Sequence, residues 1–184
     1  MIVHTGMGRS ILGAGTALFM LFQGLSGPFV GRTIKKSGIK ATIILGAILV
    51  AVSSILMGTI VGSAWQYLIC FGVISGLGIG FSGMFSVQSG ITYWFRERRA
   101  FAMSIALTGA GLGGFTAGNV LNGIITMTGD WRMAWHFITL TCVVTVIIAL
   151  LFVVNRPEDL GQIPDGSIYE KTENSSEKRL RPRI

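Results

Sequence analysis

Charge is what this sequence has least of. Only 12% of its 184 residues are Asp, Glu, Lys or Arg, about half the share of an ordinary soluble domain. The few charges are also unevenly placed: residues 10–31, 41–95, 100–129 and 133–155 carry none. No set of His, Cys, Asp and Glu has metal-ligand spacing, and no nucleophile sits beside a base. A metal site, a bound cofactor and enzymatic catalysis are therefore not expected. Cysteine is scarce too. Cys70 and Cys142 both fall inside apolar runs, which argues against a disulfide framework and for two small packing residues. Residues 1–9 lack the pattern of a cleaved signal peptide.

What is present is apolar length. Hydrophobic residues make up 51% of the chain, and the mean hydropathy is +0.65. A bilayer core about 30 Å thick takes roughly 20 apolar helical residues to cross. Residues 41–95 as one helix would extend about 80 Å, so this run must double back. The segment Gly62-Ser63-Ala64-Trp65-Gln66 is the expected turn, with Trp65 and Tyr67 at interface depth. Five spans result, at about residues 10–30, 41–61, 66–92, 101–127 and 133–154. The expected fold class is an all-α, polytopic membrane helix bundle. Residues 1–9 form a short leading segment, and residues 155–184 a turn-rich exit followed by a mixed-charge tail without apolar periodicity, the composition of a disordered segment.

The spans are not alike. In the third, Gly72, Gly76 and Gly80 recur every four residues; in the fourth, Gly109 and Gly113 pair at that interval, as do Gly114 and Gly118. Small residues at this spacing let helix backbones approach closely in lipid. The second span is dominated by Ile, Leu, Val and Ala, and the fifth has no glycine. These two are expected at the lipid-facing periphery, and the first, third and fourth around an inner surface. Gln23, Gln88, Asn119 and Asn122 are the strongest polar side chains within spans. Each can hydrogen-bond a neighbouring helix, a contact averaging about 0.6 kcal/mol, or line a solute path. Gln88 and Asn119 are the preferred path candidates because their helices carry the small-residue spacing. His136, near one end of the last span, is either an interfacial residue or a proton relay.

The charges that do exist set a topology. GPFVGRTIKKSGIK, residues 27–40, holds Arg32, Lys35, Lys36 and Lys40 among Gly27, Pro28, Gly31 and Gly38. A cation at the bilayer centre costs about 2.5–3.5 kcal/mol, so this stretch is expected to be a loop in water. The loop after the third span, Arg96-Glu97-Arg98-Arg99, is also basic, whereas the loops on the opposite side are neutral or balanced by Asp130 and Arg132. The positive-inside rule then places the basic loops and the C-terminus in the cytoplasm and the N-terminus outside, in a cell-membrane protein. It also accounts for the net charge of +7 without a nucleic-acid partner; lipid is the partner expected.

GPFVGRTIKKSGIK between two spans resembles the loop between the second and third helices of major facilitator superfamily transporters. The nearest form is that of the monocarboxylate and oxalate/formate branch. The segment Tyr93-Trp94-Phe95-Arg96-Glu97-Arg98-Arg99-Ala100-Phe101-Ala102, followed by Thr108-Gly109-Ala110-Gly111-Leu112-Gly113, is similar to that branch's loop and fifth helix. Asp130-Trp131-Arg132 resembles its outer turn, and Arg156-Pro157-Glu158-Asp159 through Pro164-Asp165-Gly166 its exit to the central loop. The resemblance implies that the five spans are helices two to six of a twelve-helix carrier, with its first helix and C-terminal half not in the chain. It also implies that the second and fifth spans, the family's third and sixth helices, are peripheral. One departure stands out: the family's loop acid falls on Lys35 and the following base on Lys36, so the acid–base latch of the inward-closed state cannot form here.

The expectation for function is a partial secondary transporter that moves small organic anions such as monocarboxylates by alternating access. The rival is a non-transporting membrane scaffold or regulatory subunit. Arg99 and Lys36 are read either as gating contacts or as orientation charges.

Overall fold

The computed structural model describes residues 8–95 and 97–155. Residues 1–7, Arg96 and the exit motif and tail from Arg156 onward lie outside the described residues. Most of the described residues are helical, and none of them forms a strand. The elements are α1 (Arg9–Leu25), α2 (Gly27–Thr59), α3 (Ala64–Trp94), α4 (Arg99–Thr128) and α5 (Trp131–Phe152). Four of them, α2 to α5, are long and apolar enough to cross a membrane.

The basic stretch is helical rather than a loop. Ser26 sits between α1 and α2, and hydrogen bonding carries across it: its N–H donates to the Phe22 carbonyl at 3.0 Å, and Val30 N–H donates to the Ser26 carbonyl at 2.8 Å. Pro28, just inside α2, has no N–H to give the previous turn, which explains the break in register there. The helix then runs on to Ser37 and changes direction only at Gly38, the one residue inside α2 with non-helical backbone angles. Lysine and isoleucine are good or tolerable helix formers, so cations outside the apolar zone need no loop to reach water.

The arm of α2 after Gly38 runs antiparallel to α3 and α5, and an apolar cluster sits at each end. At one end Met57 and Val61 from α2 and its exit pack with Tyr67 and Cys70 of α3, against Ile11 and Leu12 of α1 and Trp135 of α5. Rings reinforce this end: Phe71 stacks on Phe19 and on Tyr67, both with centroids 5.3 Å apart, and meets Trp135 edge-on at 6.0 Å, geometry that aromatic quadrupoles favour. At the other end Val30, Ile34 and Ile39 pack with Ile43, Phe81 and Val153. Short connections close the bundle. Gln66 Oε1 accepts from Gly62 and Ser63 N–H at 3.0 and 3.1 Å, supplying a partner to the start of α3. Gly129, at a left-handed φ of 70°, ends α4, and the Asp130 carboxylate caps α5 by accepting from Arg132 N–H at 2.9 Å.

α3 lies between α1 and α2, and its glycines face both. A Cβ on Gly72 would lie 2.9 Å from Leu18 Cβ, and one on Gly76 2.8 Å from the Phe19 carbonyl oxygen, while one on Gly80 would run into Ser26. On the α2 side, a Cβ on Gly78 would lie 2.9 Å from Val50 N, and one on Gly46 would strike the Ser82 nitrogen. Backbones this close leave no room for a side chain.

The expected division into inner and peripheral spans is corrected on one count. α2 is the most buried helix, 44% of its most apolar window against 0% for α4. It packs most extensively on α3 and next on α5. Its Thr42, Gly46, Ser53, Ser54 and Gly58 are all buried, a small and polar stripe masked by the aliphatic residues between them. α4 has no buried residue. Among the described residues nothing lies within 4 Å of a Cβ on Gly109, Gly113, Gly114 or Gly118, so these glycines pack against none of the other described helices.

Ser53 shows why the polar stripe is turned inward. Its hydroxyl donates to the Cys70 carbonyl at 2.6 Å and pairs with the Ser75 hydroxyl at 2.7 Å. Residues Leu68–Ser75 form a π-helical segment, whose wider turn frees carbonyls from the usual ladder. Ser53→Ala is expected to cost about 0.6–1.7 kcal/mol. Ser54 Oγ is buried without a partner among the described residues, so Ser54→Ala is expected to be neutral or slightly stabilising. Thermal melting of the two variants in detergent checks the contrast; an equal loss from both would refute it.

Candidate functional site

The cations of α2 gather at one end of the bundle, where three chain segments meet. Gly38 has φ 84° and ψ 171°, a backbone region essentially reserved for glycine. The Asn155 side chain occupies the space that a Cβ there would take. Its Oδ1 accepts from Lys40 N–H at 2.9 Å, so a residue beyond α5 caps the helical arm that begins after Gly38. Lys40 returns the favour: its Nζ donates to the Leu150 carbonyl at 2.7 Å, in the last turn of α5. Each helix end has free backbone groups of one polarity, and each receives the complementary group from the other. Thr42 Oγ1 adds a bond to the Gly38 carbonyl at 2.8 Å. The direction change in α2 is thus fastened to the exit of α5.

Lys35 and Lys36 are exposed. With Ser37, Tyr93 and Asn155 they line a cavity of about 270 Å³. Among the described residues no carboxylate contributes to its wall and two lysines do, an electropositive lining. Gly27 and Gly31 make no close approach, with nothing within 4 Å of a Cβ at either. Pro28 and Arg99 are exposed, Arg99 at the first position of α4.

The four polar path candidates are not brought together. Gln23 is half-buried on α1; Gln88, Asn119 and Asn122 are exposed on α3 and α4. Asn119 Nδ2 donates to the Phe115 carbonyl of its own helix at 3.1 Å. No hydrogen bond joins any two of the four among the described residues. His136 lies at the end opposite the lysines, its ring 3.0 Å from where a Cβ on Gly58 would stand. The group of His, Cys, Asp and Glu needed to hold a metal is absent among the described residues.

Sequence reasoning passed over Asn155, Tyr93, Ser53 and Ser75 as functional positions. Asn155 carried a usable signal, as the first polar residue after the last apolar run. Ser53 and Ser75 announce themselves only once α2 and α3 are paired.

The sequence matches the Major Facilitator Superfamily over residues 1–182. An MFS-type transporter of Gibberella moniliformis is 31% identical over 150 residues, covering 80% of this chain and 36% of that protein. The uncharacterized transporter ESBP6 of Saccharomyces cerevisiae is 29% identical, covering 78% of this chain and 21% of its own length. Monocarboxylate transporter 14 of Mus musculus is 32% identical over 108 residues, covering 59% and 20%. The chain therefore spans about a third or less of the curated relatives it matches. With apolar helices long enough to cross a bilayer and a match along nearly its whole length, this chain is a multi-pass membrane protein that belongs to the Major Facilitator Superfamily.

Proposed function

We propose that the chain is the early part of a secondary transporter for small organic anions of the monocarboxylate type, working by alternating access with helices that the chain does not contain. α1 to α5 would be five spans, helices two to six of a twelve-helix carrier, with the lysine-bearing end in the cytoplasm and the start of α1 outside. The observation that carries this reading is the state of α4. It has no buried residue, and nothing among the described residues covers its spaced glycines, yet it bears Asn119, Asn122 and four of those glycines. Amide side chains and a groove of small residues facing hydrocarbon would be costly and without purpose. Covered by further helices, the same face supplies close packing and polar groups beside a central path. The name of the mammalian relative supports monocarboxylates as the solute class.

Vesicles holding this chain together with the complementary helices are expected to take up labelled lactate, pyruvate or a related organic acid. Asn119→Ala should raise KM for that acid with little change in expression. Failure to take up any organic acid would overturn the proposal. Orientation has its own check: a membrane-impermeant amine reagent added outside intact cells should leave Lys35 and Lys36 unmodified.

A further inference from the structure

A second cavity adjoins the electropositive one. It measures about 230 Å³ and is walled by Ile39, Ile43, Val87, Trp94, Phe152 and Val153, among others. Ile39 belongs to both cavities. Their chemistry is opposite: one offers two lysine ammonium groups, hydroxyls and an amide, the other almost only aliphatic and aromatic surface. Both lie at the lysine-bearing end of the bundle, where apolar helix gives way to polar connections.

We propose that the paired cavities bind an anionic phospholipid, with the phosphate against Lys35 and Lys36 and an acyl chain along the Ile43–Trp94–Phe152 wall. Each half of the ligand accounts for one cavity. A phosphate in the first finds ammonium donors and, among the described residues, no carboxylate to repel it. Lys40 is committed to the Leu150 carbonyl, whereas Lys35 and Lys36 are exposed and line the cavity. A soluble organic anion would use the first cavity and leave the second without an occupant. A zwitterionic lipid would fill the second but bring a cation toward the lysines. The site is separate from the solute path, so its test does not depend on transport.

Trp94 is the built-in reporter. The chain purified in detergent, titrated with phosphatidylglycerol or phosphatidylcholine carrying brominated acyl chains, should show Trp quenching that is about fivefold more sensitive to the anionic lipid, equivalent to about 1 kcal/mol. Trp94→Phe should remove the lipid-selective part and leave the quenching of the other tryptophans. Lys35→Gln with Lys36→Gln should bring the selectivity close to one while helical circular dichroism is unchanged. Arg32→Gln removes a charge from the same helix outside the cavity wall and should lower it less than twofold. Equal quenching by the two lipids, or selectivity kept in the double lysine variant, would overturn the proposal. An Arg32→Gln loss as large as that of the lysines would also overturn it, since general surface charge would then suffice. Inorganic phosphate should compete no better than chloride at equal ionic strength; stronger competition would make the site one for free phosphate and refute the lipid.

Discussion

Gly46→Val is expected to destabilise the isolated chain by about 3 kcal/mol, the upper end of the range for overpacking. The added Cβ would strike the Ser82 nitrogen and lie 2.6 Å from the Gly78 carbonyl oxygen. Both are backbone atoms of α3, so no rotamer change relieves the contact and the helices themselves must part. Parting them also loosens Gly78 from Val50 and stretches the Ser53 bond to the Cys70 carbonyl. Gly113→Val on α4 makes the same chemical change in a similar local sequence but meets nothing within 4 Å. Its expected effect is within about 0.5 kcal/mol. Thermal unfolding in detergent, followed by circular dichroism, separates the two. Equal losses would mean that α2 and α3 do not meet at Gly46. The proposal for α4 adds a second stage: in the assembled carrier Gly113→Val should become harmful, because another helix then lies over that face.

How much of this was legible in the residues depends on what each signal measures. Uncharged length is a property of single segments, and it gave the helices and the ends at which basic and neutral connections fall. Spacing of small residues marks a surface able to pack, and Gly72, Gly76 and Gly80 do lie against α1. The same spacing at Gly109 to Gly118 lies against nothing among the described residues. Periodicity reports competence to pack and not the presence of a partner. The second span was misplaced at the periphery because average greasiness hid its stripe of Thr42, Gly46, Ser53 and Ser54. Those residues are spaced by one face of a helix and are diluted by the isoleucines and leucines between them. The charged stretch was read as a loop because cations exclude a segment from hydrocarbon; they do not exclude it from helix. The fastening of Gly38 to Asn155 was beyond reach of local reading. It joins positions 115 residues apart through Lys40, and only the antiparallel return of α5 brings them together.

Gly38→Ala should cost about 3 kcal/mol on its own, since a φ near +84° is strained for any L side chain and the new methyl would collide with Asn155. Asn155→Ala should cost about 1 kcal/mol, the worth of a capping side chain, by leaving Lys40 N–H without its acceptor. Combined, the two should cost less than their sum by about 1–2 kcal/mol, because removing the Asn155 side chain vacates the space the methyl needs. The remaining penalty of the double variant then measures backbone strain at Gly38 alone. Lys40 enters the same cycle from the other side. With the cap gone, its bond to the Leu150 carbonyl becomes the remaining described hydrogen bond between the start of this helical arm and the end of α5, so Lys40→Met should be more harmful in the Asn155→Ala background than alone. Melting temperatures of the single and paired variants decide it. Strict additivity of Gly38→Ala with Asn155→Ala would mean that the amide does not stand against Gly38, and the direction change in α2 would then be held by its backbone and not by the exit of α5.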